Sequence, residues 1–248
     1  MRLLSEVIRL LKDRLAESTV SDLAVSVPYT GVVLNGLSLG VCYTVVEGRD
    51  KFRSPPPGKA RGSPALELAK LALAPTGIES SIGVATLNAG VELPEEATEG
   101  DPLEFLNLSR EDRVCVLGRF PDRYLDVIKK SVAKLWVLER PQKLGHGLLP
   151  DWAVEVILPK CTILIATGST IPNKTLERSL ELASDARERV VVGASVPLLP
   201  EPFAKRGVTI LAGVRFTDPT SAFRVVMEGG GTADLRPYSR KMLVRIRS

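Results

Sequence analysis

Five short β-type runs in the second half of this chain constrain its fold more than any other feature. They lie at 114–117, 135–138, 162–166, 190–192 and 208–211, and helical patterns separate them. Alternating strands and helices predict an α/β fold with a parallel, doubly wound sheet. Each run ends in a small, polar or charged cluster: Gly118-Arg119-Phe120, Glu139-Arg140-Pro141, Thr167-Gly168-Ser169-Thr170, Gly193-Ala194-Ser195 and Gly213-Val214-Arg215. In such sheets the loops after the strands line one edge, and ligands bind there. A site is therefore expected at that edge.

The first hundred residues lack this alternation. Leu3, Leu4, Val7, Ile8, Leu11 and Leu15 have the spacing of one buried helix face over 2–17. Runs at 23–27, 32–34 and 40–46 predict three strands, and Asn35-Gly36 between two of them is a tight-turn signal. Residues 47–63, with Pro55-Pro56-Pro57, Gly58 and Gly62, predict a long loop. Ser63-Pro64 opens a helix to about Ala74, with Ser63 as its cap, and a second helical segment lies within 77–91. The acidic stretch 93–102 predicts a linker, which divides the chain into an α+β domain at 1–100 and an α/β domain at 101–248.

Composition excludes several classes. A net charge of +4, scattered basic residues and only 5% aromatics argue against a dedicated nucleic-acid surface. The basic stretch 236–247 reads as a solvated tail. No apolar run has the ~18–20 residues that span a bilayer, and the N-terminal segment is a charged helix and not a signal peptide, so a cytoplasmic location is expected. Cys42, Cys115 and Cys161 stand far apart among apolar neighbours and read as buried, reduced thiols. A single Gln, few Met and abundant Arg, Glu and Pro match the composition of proteins from hot environments.

The clusters carry the chemistry. Gly118 permits a tight turn towards a ligand, with Arg119 and Phe120 beside it. Glu139 follows it at the distance where dinucleotide sites hold ribose hydroxyls, but only one fingerprint glycine is present. A looser nucleoside site and a surface ion pair with Arg140 or Arg119 remain equal readings. His146, the single histidine, sits between Gly145 and Gly147, where it reads either as an acid or base or as a loop residue. One histidine is too little for a protein-only transition-metal site. The strongest cluster is 167–173. Thr167, Gly168, Ser169 and Thr170 offer hydroxyls and amides, and Asn173 is placed to cap a helix over 174–183. Together they predict an anion-binding nest, against a bland reading as capping and turn chemistry. Ser195 lies outside any nucleophile elbow. In the first half, Asn35 to Gly40 reads as a plain hairpin turn, with reach to a neighbouring site as the alternative.

At these residues the chain resembles the "Putative heavy-metal chelation" family of prokaryotic proteins. The matching stretches are GVVLNGLSLGVCYT at 31–44, ATLNA at 85–89, GRFP at 118–121, ERP at 139–141, TGSTIPNKTL at 167–176, GASVPLLP at 193–200 and FAKRGVTILAGVRFTD at 203–218. The resemblance covers nearly the whole chain. It implies an N-terminal domain similar to that of enolase and a Rossmann-like C-terminal domain similar to those of methyltransferases. It also implies a site between the two, formed by Asn35, Ser38, Tyr43, Gly118, Glu139, Thr167, Gly168, Ser169, Asn173 and Ser195. The implied partner is a small metal-chelating molecule, pterin-, flavin- or siderophore-like. No motif specifies a cofactor, and the composition is compatible with a homo-oligomer. Three functions follow. One is an enzyme that transforms such a molecule by condensation, hydrolysis or group transfer, with Glu139 or His146 handling protons. The second is a carrier without chemistry. The third is an adenosyl-methionine binder.

Overall fold

The computed structural model describes residues 2–46, 54–118, 120–140, 145 and 147–246. Two sheets form. The first is antiparallel, with order β1 (Val20–Val25), β2 (Tyr29–Leu34) and β3 (Ser38–Tyr43). Asn35 and Gly36 both take positive φ, 51° and 68°, which makes the tight turn between β2 and β3. The expected N-terminal helix is two pieces, α1 (Arg2–Leu10) and α2 (Lys12–Ala16). The helix after Ser63-Pro64 is α3 (Ala65–Lys70), continued by a 3-10 turn through Leu73; Ser63 does not cap it, because Pro64 takes the cap position. The next is α4 (Gly77–Gly90), buried nearly all round.

The second sheet has eight strands, in the order β4-β11-β10-β9-β8-β5-β6-β7. The five apolar runs are its parallel centre: β5 (Arg113–Leu117), β6 (Lys134–Glu139), β8 (Ile163–Thr167), β9 (Glu188–Val192) and β10 (Ile210–Phe216). A two-residue β7 (Leu149–Pro150) extends the parallel edge. From the centre, β5, β6 and β7 build outwards in one direction and β8, β9 and β10 in the other, so the order reverses between β5 and β8. This is the Rossmann order with its switch point.

Two expectations are corrected here. The basic stretch 236–247 is no solvated tail: β11 (Ser239–Arg245) pairs antiparallel with β10 along its whole length and buries Leu243 and Val244. The expected linker supplies β4 (Thr98–Glu99), antiparallel to β11. The sheet is therefore mixed and not wholly parallel.

Alternation along the central strands serves two faces. Val114, Val116, Ile163 and Ile165 meet Ile128 of α5 (Asp122–Ser131). Cys115, Leu117, Leu164 and Ala166 join the opposite core. There they pack with α6 (Val154–Ile157), Leu176 and Leu180 of α7 (Leu176–Leu182) and Phe203 of α8 (Pro200–Ala204). That core is continuous with the N-terminal elements and includes Leu3, Val7, Leu15, Cys42, Leu68 and Leu87. The small sheet lies between α4 and α9 (Pro219–Met227); Val33, Leu39 and Val41 pack on Ala222, Phe223 and Val226. A short α10 (Thr232–Leu235) adds Leu235 to this cluster.

Candidate functional site

The loops after β5, β8 and β9 converge where the sheet order reverses. Gly118 ends β5 at φ +83°, a conformation that suits glycine. A Cβ there would stand 2.4 Å from Thr167 Oγ1, so the β5 and β8 turns touch only because residue 118 has no side chain. Thr167 Oγ1 and Ser169 Oγ share a hydrogen bond of 2.8 Å, and Thr170 Oγ1 donates to the Thr167 carbonyl at 2.7 Å. A Cβ on Gly168 would meet Val196 Cγ2 at 2.9 Å and Ser195 Cβ at 3.3 Å. The space over Gly168 thus belongs to the loop after β9.

Asn173 is not a helix cap. The helix begins three residues later, at Leu176, and Thr175 holds the cap position without a side-chain bond. Asn173 Oδ1 accepts instead from Thr175 N at 3.1 Å and Thr175 Oγ1 at 2.7 Å. Asn forms such Asx turns as readily as it caps helices, and here the local turn wins. The seven-residue α7 therefore adds no capped N-terminus to the nest.

The N-terminal sheet closes on this edge through β3. Ser195, buried after β9, accepts the Tyr43 N–H at 2.8 Å. Asn88 near the end of α4 donates through Nδ2 to Val41 O at 2.8 Å and Ala194 O at 3.3 Å. Lys174 takes φ +66° and sends its ammonium to Ala72 O and Ser80 Oγ. Burial holds that ammonium down at about 8, against the opposing influence of Cys42. Burial likewise pushes the Cys42 thiol up to about 12, opposed by hydrogen bonds with Ser195 and Ser81 and by the Lys174 charge.

Beside these ties lies a cavity of about 470 Å³. Its floor is Ser38 to Val41 of β3, with Asn88 and Ala89 of α4. The walls come from the loop after β9, with Ala194, Val196 and Leu198, and from the end of β10, with Val214, Arg215 and Phe216. It opens at the C-terminal ends of β9 and β10, on the edge where the sequence expects a site.

The expected residues divide into groups. Ser38 lines the cavity. Tyr43 and Ser195 bond to each other at its inner end. Gly118, Thr167, Gly168, Ser169 and Thr170 form the neighbouring cluster of turns at the switch point. Asn35 Oδ1 accepts from Thr19 N at 2.8 Å and its amide reaches Ser18 Oγ at 3.3 Å, which ties the hairpin to the end of α2. Glu139 is buried at the end of β6, where Oε1 accepts the Arg140 N–H at 2.8 Å, and it does not line the cavity. Phe120 packs into the α5-side core. Arg119 and His146 lie outside the described residues. Sequence reasoning passed over Lys174 and Asn88. The one signal for Asn88 is a lone amide in the otherwise apolar and small second half of α4, residues 82–90.

Among the described residues, no three His, Cys, Asp or Glu side chains stand close enough to hold a metal ion. Cys115 donates to the Ile157 carbonyl and Cys161 to the Leu158 carbonyl, and the neighbouring Cys161 thiol together with burial pushes the Cys115 thiol up. These donors do not form a chelating set. Among the described residues no helix is long and apolar enough to cross a membrane.

Comparison with known proteins agrees with this architecture. A crystal structure of a protein of unknown function from Pyrococcus horikoshii superposes with a TM-score of 0.86 at 26% identity, covering 98% of this chain and 100% of the other. One from Desulfitobacterium hafniense DCB-2, also of unknown function, gives 0.80 at 23% identity with the same coverage and supports the fold alone. The uncharacterised protein MJ0500 of Methanocaldococcus jannaschii is 26% identical over 96% of this chain and 95% of its own length. Two family models match, at residues 8–91 and 101–245, and both carry the description "Putative heavy-metal chelation". With the matches spanning both sheets, the chain belongs to the Putative heavy-metal chelation family.

Proposed function

We propose that this protein binds a small anionic or metal-chelating molecule in the cleft between its two sheets, and that it does so as a carrier without chemistry. Two domains, dividing near residue 100, would provide the two walls. The observation that carries the reading is the cavity of about 470 Å³ between β3, the loop after β9 and the end of β10, a volume within the usual ~300–1,000 Å³ of small-molecule pockets. Its apolar walls suit a flat or branched body, Ser38 and Asn88 offer polar contacts, and Arg215 at the rim suits a carboxylate or phosphate. Glu139 stands away from this cavity, which favours carriage over acid–base chemistry. Metal would then arrive already bound to the small molecule, consistent with the donor set described above. Native mass spectrometry of the purified protein tests this. A retained small acid, free or metal-loaded, is expected, and Ser38→Trp should fill the cavity and abolish it. An adduct that persists in Ser38→Trp would place the ligand elsewhere.

The Rossmann order, with left-handed Gly118 after β5 and Glu139 ending β6, favours a second reading as an adenosyl-methionine binder. Equilibrium dialysis with adenosyl-methionine separates the two, since only this reading expects saturable binding that survives Ser38→Trp.

A further inference from the structure

β3 is an edge strand, and half of its free edge is already used. In the β2–β3 ladder Ser38, Gly40 and Cys42 face β2, so Leu39, Val41 and Tyr43 direct their main-chain groups outwards. The inner part of this edge is sealed. The Tyr43 N–H meets Ser195 Oγ, the Tyr43 carbonyl accepts from Ser81 Oγ at 3.0 Å, and the Val41 carbonyl accepts from Asn88 Nδ2. The outer part runs along the floor of the cavity. There the N–H and C=O of Leu39 and the N–H of Val41 have no partner among the described residues. Leu39 is 8% exposed and Val41 1%, so these groups are largely shielded from bulk water as well. Main-chain groups in that position are paired in all but about 5–10% of cases.

We propose that the ligand of this cleft is peptide-like: an N-acylated amino acid, or a di- or tripeptide-sized compound, that pairs in extended form with Leu39 and ends in an acid near Arg215. This rests on the cleft reading given above and names its ligand class. The complement of an open N–H and C=O on one strand residue is the C=O and N–H of one acylated amino-acid residue opposite it. Leu37, Val196, Leu198 and Phe216 offer apolar surface for its side chain. A protein partner adding a full strand does not fit. The open stretch lasts only from Leu39 to Val41, between the turn at Asn35-Gly36 and the Ser195 seal, whereas strands average about five or six residues.

The test is calorimetric titration of the full chain with N-acetyl-leucyl-glutamate, with the same compound methylated on the leucine nitrogen, and with citrate. The expected result is binding of the first with a Kd of about 1 mM or tighter. The N-methyl compound should be at least about tenfold weaker, because it lacks the donor for the Leu39 carbonyl. The Leu39 amide resonance should shift on titration with the first compound. Arg215→Gln should weaken binding several-fold and leave that shift in place. Leu39→Pro removes the N–H at an outward position that an edge strand tolerates, and should weaken binding similarly; the methylated probe gives the same information if that variant fails to fold. Equal binding of the two peptides overturns the pairing. Citrate binding without peptide binding overturns the ligand class and leaves the cleft reading standing. Failure of all three probes to bind overturns both.

Discussion

Replacing Ser195 by Ala should expose how firmly the two sheets are held together. The hydroxyl is 3% exposed and is the acceptor for the Tyr43 N–H at 2.8 Å. Alanine leaves that part-buried amide facing a methyl group. A buried donor left without its acceptor costs about 1–3 kcal/mol, whereas deleting the oxygen itself creates almost no void. The middle of that range, about 2 kcal/mol, is the reasonable figure. For a chain of this length each kcal/mol corresponds to about 2–4 °C, so Tm should fall by about 4–8 °C. Urea unfolding gives the free energy, and hydrogen exchange at Tyr43 locates it: that amide should lose protection more than its strand neighbours do. Ser38→Ala is the control, a cavity-lining hydroxyl without such a bond, expected within about 0.5 kcal/mol of wild type. Ser195→Ala with unchanged stability and unchanged Tyr43 exchange would refute the reasoning and free the hydroxyl for a ligand.

Three further outcomes are expected. Lys174 has a folded pKa of about 8, below its unfolded value near 10.5, so the unfolded chain binds more protons in that interval and stability should rise with pH across it. Lys174→Met should remove this contribution, and urea titrations at pH 7.5, 8.5 and 9.5 that give the same wild-type-minus-variant difference would contradict it. Gly118→Ala should destabilise by more than the ~1–2 kcal/mol of a left-handed non-glycine residue, since its Cβ also meets Thr167 Oγ1 at 2.4 Å. In a Thr167→Ala background the penalty should shrink by about 1 kcal/mol, and strict additivity in a double-mutant cycle would disprove the contact. Deleting residues 239–248 removes β11 and bares the β10 edge, so the truncated chain should aggregate or fail to fold; a soluble product with wild-type circular dichroism would restore the reading of this stretch as a tail.

What was legible in the sequence follows from burial. β5, β8 and β9 are covered on both faces, so they read as continuous apolar runs, and the alternation of runs and helices carried the Rossmann architecture with them. β11 escaped because it is covered by β10 on one side and only a two-residue strand on the other. It spends Arg240, Lys241 and Arg245 on exposed positions and keeps only Leu243 and Val244 for the core. Asn173 misled for a different reason, since a cap and an Asx turn use the same side chain and differ only in where the helix starts. The edge of the sheet was legible as the place of a site, but the cavity was not. Its floor and walls come from Ser38–Val41 and α4 and from residues 194–216, far along the chain, and a contact such as Tyr43 to Ser195 leaves no mark on local pattern. Lys174 was hidden likewise, because its partners Ala72 and Ser80 lie in the other half of the chain.

The position of α9 also sets an order of events during synthesis. The face of the small sheet that carries Val33, Leu39 and Val41 is covered by Ala222, Phe223 and Val226. These residues leave the ribosome roughly 180 positions after β3, a delay of about 9–36 s at ordinary elongation rates of ~5–20 residues per second. Throughout that interval the nascent N-terminal segment displays an apolar surface whose own chain has not yet supplied a lid. Its early helices can gather on one side of the hairpin, but the other side waits for α9. Protection of the incomplete molecule from its neighbours on the same message therefore hinges on the arrival of α9.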